Sequence, residues 1–344
     1  MYQSIVSRMI PSFEQGTSLP LREFSSKMDR ALEDLLSGEG LSPEIFLMPG
    51  VPRIRPMLLL LSAHAAQRDV EHLDPNTQKN IQQKIEHVAL AGELLHAAIL
   101  LHDAALGRSK GRRRRLARRL LSGAVGWMGG NALNLRAIEL AHQASDSIIL
   151  SDIMEAMRDV AEARQERREW EDRIPKVEEV IFDIEQNMGT LFSFLCRSGA
   201  RLSGSTPGTS THLGRYGFHI GVAWALQEEL YRLQKDDFAI FLEDALLRKK
   251  PIYALSLTVQ DDDHVSDLCL RFLSRSRDLS DEQLCECIYF KELLCRMKER
   301  RVFTRTKMRV VQSVFSAKRA LHRLPKTAHR DALEELAQAF LSQH

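Results

Sequence analysis

The sequence predicts an all-α fold, a bundle of long helices. Apolar residues recur at spacings of three and four over long segments, which is the period of an amphipathic helix. Proline is absent from residues 76 to 174, as expected for a series of uninterrupted helices. Short alternating runs bounded by turn pairs, which would indicate strands, are nearly absent. We expect residues 1–344 to form a single helical domain.

Three segments carry the clearest helical period: IQQKIEHVALAGELLHAAILL (81–101), the run from ALNLRAIELA to ARQERREW (132–170) and VEEVIFDIEQNMGTLFSFLCRSGARL (177–202). Clusters of Gly, Pro and small polar residues predict the breaks between helices. These breaks are GEGLSP (38–43), MPGVPRIRP (48–56), GRSKGRR (107–113), GWMGGN (126–131) and SGSTPGTSTH (203–212). Within the last of them, Gly204 to Thr211 is predicted to be a loop between two helices.

Composition excludes several classes of protein. The chain has 344 residues with 48 basic and 46 acidic side chains, and a net charge of +2 is too small to argue for or against a nucleic-acid partner. The five cysteines are odd in number and contain no CxxC pair, which argues against a disulfide framework or a zinc module. The first residues, MYQSIVSRMIPSFEQ, lack the basic flank and apolar core expected of a signal peptide, and no apolar run reaches the ~18 residues that a membrane span needs. We therefore expect a cytoplasmic protein with reduced thiols, no membrane span and no nucleic-acid partner.

The stretch ELLHAAILLHDAALGRSKGRRRRL (93–116) combines an apolar helix, one acidic residue at its end and a dense basic run. By their spacing, Glu93, His96, Leu100 and Asp103 share one helical stripe. From Arg108 to Arg119 the run contains no acidic residue. Two interpretations follow from the charge alone: a solvated helix start, or a surface patch for an anionic partner such as nucleic acid, anionic lipid or an acidic protein.

In their order along the chain, several segments resemble motifs of the trans-isoprenyl diphosphate synthases, the polyprenyl synthetase family. They are VPRIRPMLLLLSAHAA, ELLHAAILLHDAALGRSKGRRR, GGNALNLRAIELA, LGRYGFHIGVAWALQEELYR and RKKPIYALSL. The resemblance covers roughly residues 25 to 300. It implies an isoprenoid-synthase-type bundle of long helices around a central cavity, usually assembled as a dimer.

Family members join an allylic diphosphate to isopentenyl diphosphate with Mg²⁺ held by two aspartate-rich motifs. In the first motif Asp103 matches, whereas Ala104 and Gly107 replace aspartates. In the second motif Glu228 and Glu229 replace the leading aspartates, and Arg232 replaces the last. The resemblance leaves Asp103, Glu228 and Glu229 as a residual metal set. Other family positions are also substituted, by Pro52, Asn131, Asn187, Met188 and Ala225.

The residues that still match the anion-binding half of the family site are Arg55, His96, Arg112 and Arg113, which the resemblance assigns to diphosphate binding. Simpler interpretations stand beside these assignments. Asp103 would pair with Arg108 or another nearby base, His96 would be an ordinary interfacial histidine, and Arg232 would pair with Glu228 along the helix. The segment RREWEDR (167–173) is interpreted as solvated charge.

The favoured hypothesis is a polyprenyl-synthetase-like protein without metal-dependent prenyl transfer. It would act as a non-catalytic or regulatory subunit of a prenyl diphosphate synthase, as a homodimer or as a heterodimer with an active synthase. One alternative is an active prenyltransferase or terpene synthase with an atypical Mg²⁺ site, in which case Mg²⁺ is the cofactor. A second alternative is a protein that binds a prenyl diphosphate ligand without reacting it.

Overall fold

The protein is all-α in the part of the chain that its computed structural model describes, residues 2–17, 19–41, 53–66, 74–105, 124–170 and 173–341. The helices follow each other in chain order, and several pack along the length of a neighbour. They are α1 (Tyr2–Thr17), α2 (Leu21–Gly38), α3 (Ile54–Ala66), α4 (Pro75–Ala105), α5 (Ala124–Gln143), α6 (Ser147–Glu166), α7 (Val177–Ile184), α8 (Thr190–Leu202), α9 (Pro207–Leu233), α10 (Phe238–Leu247), α11 (Tyr253–Asp261), α12 (His264–Ser276), α13 (Asp281–Glu286), α14 (Ile288–Glu299), α15 (Val302–Leu321) and α16 (Ala328–Ala339).

The longest helices form the centre of the bundle. Helix α4 packs along α5, and α9 packs between α8 and α15, while α3 lies against α8. Most buried residues of these helices are Leu, Ile, Val, Ala and Phe, and the buried apolar residues form one continuous cluster. Helix α4 is long and apolar enough to cross a membrane by composition, but 78% of its most apolar window is buried inside the protein. This burial is typical of a core helix.

The predicted helix over residues 177–202 is interrupted by a π-helical turn at Glu185–Gly189 between α7 and α8. Helix α9 crosses this turn closely: a Cβ on Gly221 would lie 2.2 Å from the Met188 carbonyl oxygen. Only glycine permits such an approach between two backbones. The π-turn also changes the direction in which the side chains that follow it point. Such turns are frequent at functional sites.

Two predicted boundaries are wrong. GWMGGN does not break a helix, because α5 runs through it. Gly130 lies against the ring of His102, and this tertiary contact outweighs the low helix propensity of glycine. The loop predicted over Gly204 to Thr211 ends early, since Thr206 caps the Thr209 amide at 3.2 Å and Pro207 starts α9.

Other boundaries follow local chemistry. The predicted segment 132–170 divides into α5 and α6 at residues 144–146, where Asp146 caps the amides of Ile148 and Ile149. The predicted break at 38–43 is confirmed where it is described, with Gly40 at φ 70° after α2. The segment 48–56 is only partly described, and its last residues already belong to α3. The predicted break at 107–113 lies outside the described residues. No disulfide joins the five cysteines, all of which are described.

Candidate functional site

The candidate site lies where the end of α4, the segment after α6, the last turns of α9 and the segment after α10 approach each other. Asp103 stands one turn before the end of α4, and Glu228 and Glu229 lie on α9. Lys250 follows α10, and its charge acts on both Asp103 and Glu229. Lys250 acts on Glu228 as well, so all three residual carboxylates lie within electrostatic range of one ammonium group.

Asp103 is held by arginines. Its Oδ1 accepts a hydrogen bond from Nη1 of Arg167 at 3.0 Å and lies 3.6 Å from Nη2 of Arg164. Burial opposes ionisation of Asp103, but the charges of Arg167 and Arg164 outweigh it and hold the pKa of the carboxyl below its ordinary value. The cation that neutralises Asp103 is thus supplied by the chain itself.

Arg167 joins Asp103 to a second carboxylate, that of Asp183. Its Nε and Nη2 donate to the two oxygens of Asp183 at 2.5 and 2.8 Å. Both residues are buried. Asn187, in the π-turn, donates to the Asp183 carbonyl oxygen at 2.7 Å and so ties this pair to the start of α8. One guanidinium thus joins two carboxylates, and it contacts Asp183 through two side-by-side N–H···O hydrogen bonds.

Glu229 has a structural role as a helix cap. Its two carboxylate oxygens accept the backbone N–H groups of Tyr253 at 2.9 Å and Ala254 at 2.8 Å, the first residues of α11. Burial raises the pKa of Glu229 to about 7, although both N–H groups favour the carboxylate. Both carboxylate oxygens of Glu229 therefore already accept hydrogen bonds from the N-terminal amides of α11.

Glu228 lies beside cations but is not in a contact ion pair with Arg232, contrary to the helix-spacing prediction. Burial raises the pKa of Glu228, and the charge of Arg232 opposes that rise. The guanidinium of Arg232 instead packs on the ring of Phe241, 5.3 Å from its centroid, and the ammonium of Lys250 lies 6.0 Å from the same centroid.

Arg55 is turned toward Glu93. Its Nε and Nη2 donate to the Glu93 oxygens at 2.7 and 2.9 Å, and Arg53 donates a further hydrogen bond to the same carboxylate. Burial raises the pKa of Glu93, but the charges of Arg55 and Arg53 bring it down to about 2. Burial and then the charge of Arg55 lower the pKa of the half-buried His96 to about 3, so the imidazole is neutral at physiological pH. Diphosphate binding by Arg55 and His96 stays a prediction.

A cavity of about 520 Å³ opens beside the Asp103 network, between the end of α4, the start of α5, the end of α6 and the segment after α10. Of its eleven described lining residues four are basic, none is acidic, and three are amides. The ring of His102 packs on the indole of Trp127 on its wall, with centroids 4.8 Å apart. The lining is therefore basic with an aromatic side, and Asp103, Asp183 and Asp244 pair with three of its four basic residues.

The family model for polyprenyl synthetases matches residues 44–241, more than half of the chain. The chain belongs to the polyprenyl synthetase family. Among curated relatives, an all-trans-nonaprenyl-diphosphate synthase (geranyl-diphosphate specific) of Rhodobacter capsulatus is 23% identical over 347 residues, 97% of this chain and 99% of that protein. Component 2 of heptaprenyl diphosphate synthase from Geobacillus stearothermophilus is 23% identical over 61% of this chain, and this chain spans 62% of its length.

Solved structures show the same fold. A polyprenyl synthase from Caulobacter crescentus CB15, complexed with calcium and isoprenyl diphosphate, has a TM-score of 0.72 at 22% identity, covering 94% of this chain and 97% of that one. A heptaprenyl diphosphate synthase from Staphylococcus aureus has a TM-score of 0.72 at 18% identity, covering 94% and 99%. The all-α isoprenoid-synthase bundle predicted from the sequence is thereby confirmed.

The residues present do not fit the Mg²⁺ that the family resemblance implies. Magnesium needs near-octahedral oxygen ligands, commonly from more than one carboxylate and free to turn toward the ion. Here Asp103 is bound to arginine and Glu229 to backbone amides. Among the described residues, no group of three His, Cys, Asp or Glu side chains is arranged to hold a metal ion. The basic run, with Arg112 and Arg113, lies outside the described residues.

Sequence reasoning missed Arg164 and Arg167. The prediction that RREWEDR is solvated charge is wrong for Arg167, because this residue is buried against Asp183. Arg108, the nearby base named as a partner of Asp103, lies outside the described residues. Among the described residues the partner is Arg167, 64 residues downstream. One available indication was the apolar period of α6, which places Ile153, Ala156, Val160 and Ala163 on the buried face next to Arg164 and Arg167.

Proposed function

We propose that this member of the polyprenyl synthetase family does not carry out metal-dependent prenyl transfer and acts as a non-catalytic or regulatory subunit of a prenyl diphosphate synthase. The observation that carries the proposal is the ion pair of Asp103 with Arg167, itself fixed by Asp183. Metal-dependent ionisation of an allylic diphosphate needs divalent cations to stabilise the departing pyrophosphate. A guanidinium already neutralises the carboxylate that would recruit them.

The alternative, an active enzyme with an atypical Mg²⁺ site, would need Asp103 and Glu229 to exchange their partners for a metal ion. Releasing Asp103 would leave Arg167 and Arg164 beside the incoming cation, and releasing Glu229 would leave the first amides of α11 without acceptors. Unpaired buried groups of this kind each cost on the order of 1–3 kcal/mol. The present contacts therefore favour the non-catalytic role.

A subunit role is supported by an exposed apolar face. On α5, Met128 and Leu135 are seven residues apart, share one side of the helix and are 72% and 63% exposed. Exposed apolar side chains that share one helix face are available for contact with a partner protein. One relative in the family is itself named as component 2 of a heptaprenyl diphosphate synthase. We infer that the partner of this chain is an intact synthase of the same family.

Two measurements test the proposal. Purified chain with Mg²⁺, isopentenyl diphosphate and geranyl or farnesyl diphosphate is expected to yield no elongated product. Magnesium-dependent product that disappears in Asp103→Ala would overturn the loss of catalysis and support the active-enzyme alternative.

The second measurement concerns the subunit role. Co-expression with an intact synthase from the same organism is expected to give a complex that survives size-exclusion chromatography. Leu135→Asp is expected to weaken it, whereas Phe315→Asp on α15, also 63% exposed, serves as the matched control. Separate elution of the wild-type chains, or equal loss with both variants, would contradict the role that we assign to α5.

A further inference from the structure

Helix α15 exposes apolar side chains and an arginine along one side. Met308 and Phe315 lie seven residues apart, so two turns place them on the same side of the helix. They are 59% and 63% exposed. Arg319 follows Phe315 by one turn and is exposed as well. The opposite side of α15 packs along α9, so Met308, Phe315 and Arg319 define an outer surface, the α15 face.

The chain around the α15 face is strongly basic. Residues 300 to 330 include ten Lys or Arg residues and no Asp or Glu. Arg301, Arg319, Arg323 and Lys326 are exposed and form no ion pair with any residue that the structure describes. Carboxylates that lie outside residues 300 to 330 pair with five others, Arg300, Arg305, Arg309, Lys318 and Arg330.

Helix α9 adds an arginine beside the α15 face. Arg215 is exposed and has no ion-pair partner in the described part of the chain. Burial lowers the pKa of His219 on α9, and the charges of Arg309, Arg319 and Arg215 lower it further. These three guanidinium groups therefore lie within electrostatic range of one imidazole. Like charges this close repel each other, and an anionic surface relieves that repulsion.

The combination of apolar and basic side chains favours a lipid surface over other anionic partners. Helices that lie at a membrane interface place Phe and Leu below the lipid headgroups and Lys and Arg among them. Clusters of about four to eight Lys or Arg on an amphipathic helix are typical of contacts with anionic lipids. Phosphates of a nucleic acid would pair with the arginines but would leave Met308 exposed to water.

We propose that the α15 face attaches this chain to the surface of an anionic lipid bilayer. Met308 and Phe315 enter the boundary between headgroups and acyl chains, while Arg215, Arg319 and Arg323 contact lipid phosphates. The attachment is peripheral and needs no membrane span. It uses no residue of the candidate site, so it stands or falls independently of the proposed function.

Co-sedimentation of the full chain with lipid vesicles tests the proposal. Each Lys or Arg near an anionic surface strengthens binding by about fivefold. Vesicles of phosphatidylcholine with about 30% phosphatidylglycerol are therefore expected to bind the chain at least about tenfold more tightly than phosphatidylcholine alone. Raising NaCl from about 0.1 M to about 1 M is expected to remove most of this binding, because the Debye length falls from about 10 Å to about 3 Å.

Variants locate the binding on the α15 face. Arg319→Gln is expected to weaken binding to the anionic vesicles about fivefold, and Phe315→Ser about tenfold through lost apolar burial. Arg158→Gln on α6 removes the same charge, and Leu270→Ser on α12 removes a side chain that is 64% exposed. Neither control lies on the α15 face, so neither is expected to change the affinity. Thermal unfolding verifies that every variant is folded.

Phe315→Trp supplies a second readout because it keeps an aromatic side chain. It is expected to retain binding, and its emission is expected to move to shorter wavelength with anionic vesicles as the indole leaves water. Leu270→Trp is the control and is expected to show no such shift. An unchanged emission of Phe315→Trp in the bound state would contradict insertion of the α15 face.

The remaining outcomes also decide the proposal. Equal binding to both kinds of vesicle, binding to neither, or equal affinities of the test and control variants would overturn it. Arg319-dependent binding of a single-stranded oligonucleotide or of polyglutamate, without binding of the vesicles, would overturn it by giving the α15 face another anionic partner. None of these results bears on prenyl transfer, so the proposed function would keep its own test.

Discussion

The guanidinium of Arg167 forms a two-point ion pair with the carboxylate of Asp183, through contacts of 2.5 and 2.8 Å, while its Nη1 holds Asp103 at 3.0 Å. One side chain from the end of α6 thus fixes the end of α4 to α7. The same contacts that stabilise the bundle occupy the acidic residue that the family motif contributes to metal binding. The contact that stabilises the bundle is thus the one on which the proposed loss of metal-dependent catalysis rests.

Arg167→Ala is expected to destabilise the protein by about 3–5 kcal/mol, because it leaves the Asp183 carboxylate buried without a counter-charge. Urea unfolding followed by circular dichroism measures the change. Arg158→Ala, on the exposed face of α6, is the control and is expected to change the free energy of unfolding by less than about 0.5 kcal/mol. Equal unfolding midpoints for the two variants would refute the structural role of Arg167.

Glu93 is predicted to stabilise the protein in a pH-dependent manner. Its side chain is 1% exposed between Arg53 and Arg55, and its pKa falls from an ordinary 4.5 to about 2. A depressed carboxyl pKa contributes stability that is present above the unfolded value and is lost as the pH falls through the folded value. A shift of this size corresponds to about 3 kcal/mol at neutral pH.

The difference in unfolding free energy between wild type and Glu93→Gln is therefore expected to shrink between pH 5 and pH 2.5. Urea titrations at several pH values measure it. Glu155→Gln on the exposed face of α6 is the control and is expected to show no such trend. A wild-type-to-variant difference that stays constant over this pH interval would show that Arg53 and Arg55 do not depress the pKa of Glu93.

Glu229→Ala is expected to destabilise the protein by about 0.5–2 kcal/mol, the usual effect of removing a helix cap, because the amides of Tyr253 and Ala254 lose their acceptor. Glu229→Gln keeps one carbonyl oxygen as an acceptor and is expected to lose less stability than Glu229→Ala. Differential scanning calorimetry of wild type in MgCl₂ and in EDTA completes the test. A ligand that binds only the native state raises Tm, so a rise in MgCl₂ that is absent from Glu229→Ala would indicate a metal ligand instead of a cap.

Gly130→Ala is expected to disturb the contact between α4 and α5, since its Cβ would lie 2.4 Å from Nε2 of His102. Displacing that ring, which packs on Trp127, is expected to cost about 1–2 kcal/mol and to shift tryptophan emission. Gly208→Ala in the first turn of α9 is the control: its Cβ meets nothing closer than 3.9 Å, and it is expected to be neutral or slightly stabilising. Matching spectra for wild type and Gly130→Ala would argue against this packing.

Local patterns predicted the parts of the molecule that depend on neighbours in sequence. The long helix ending near Asp103 and the absence of strands in the described residues both follow from residue type and period. Local patterns gave wrong predictions where packing between distant segments determines the structure. The glycines of GWMGGN predict a helix break, yet α5 continues through them because His102 fills the space beside Gly130.

The amino-acid sequence by itself determined the family, the helical architecture and the positions of the carboxylates at the ends of two motifs. It did so because helical period and motif spacing are properties of consecutive residues. Only the tertiary structure decided what those carboxylates contact. Arg167 reaches Asp103 from 64 residues away, and Glu229 reaches the amide of Tyr253 from 24. Such ion pairs and caps form only once distant helices pack together. The packing therefore decides which arginine or backbone amide each carboxylate oxygen contacts.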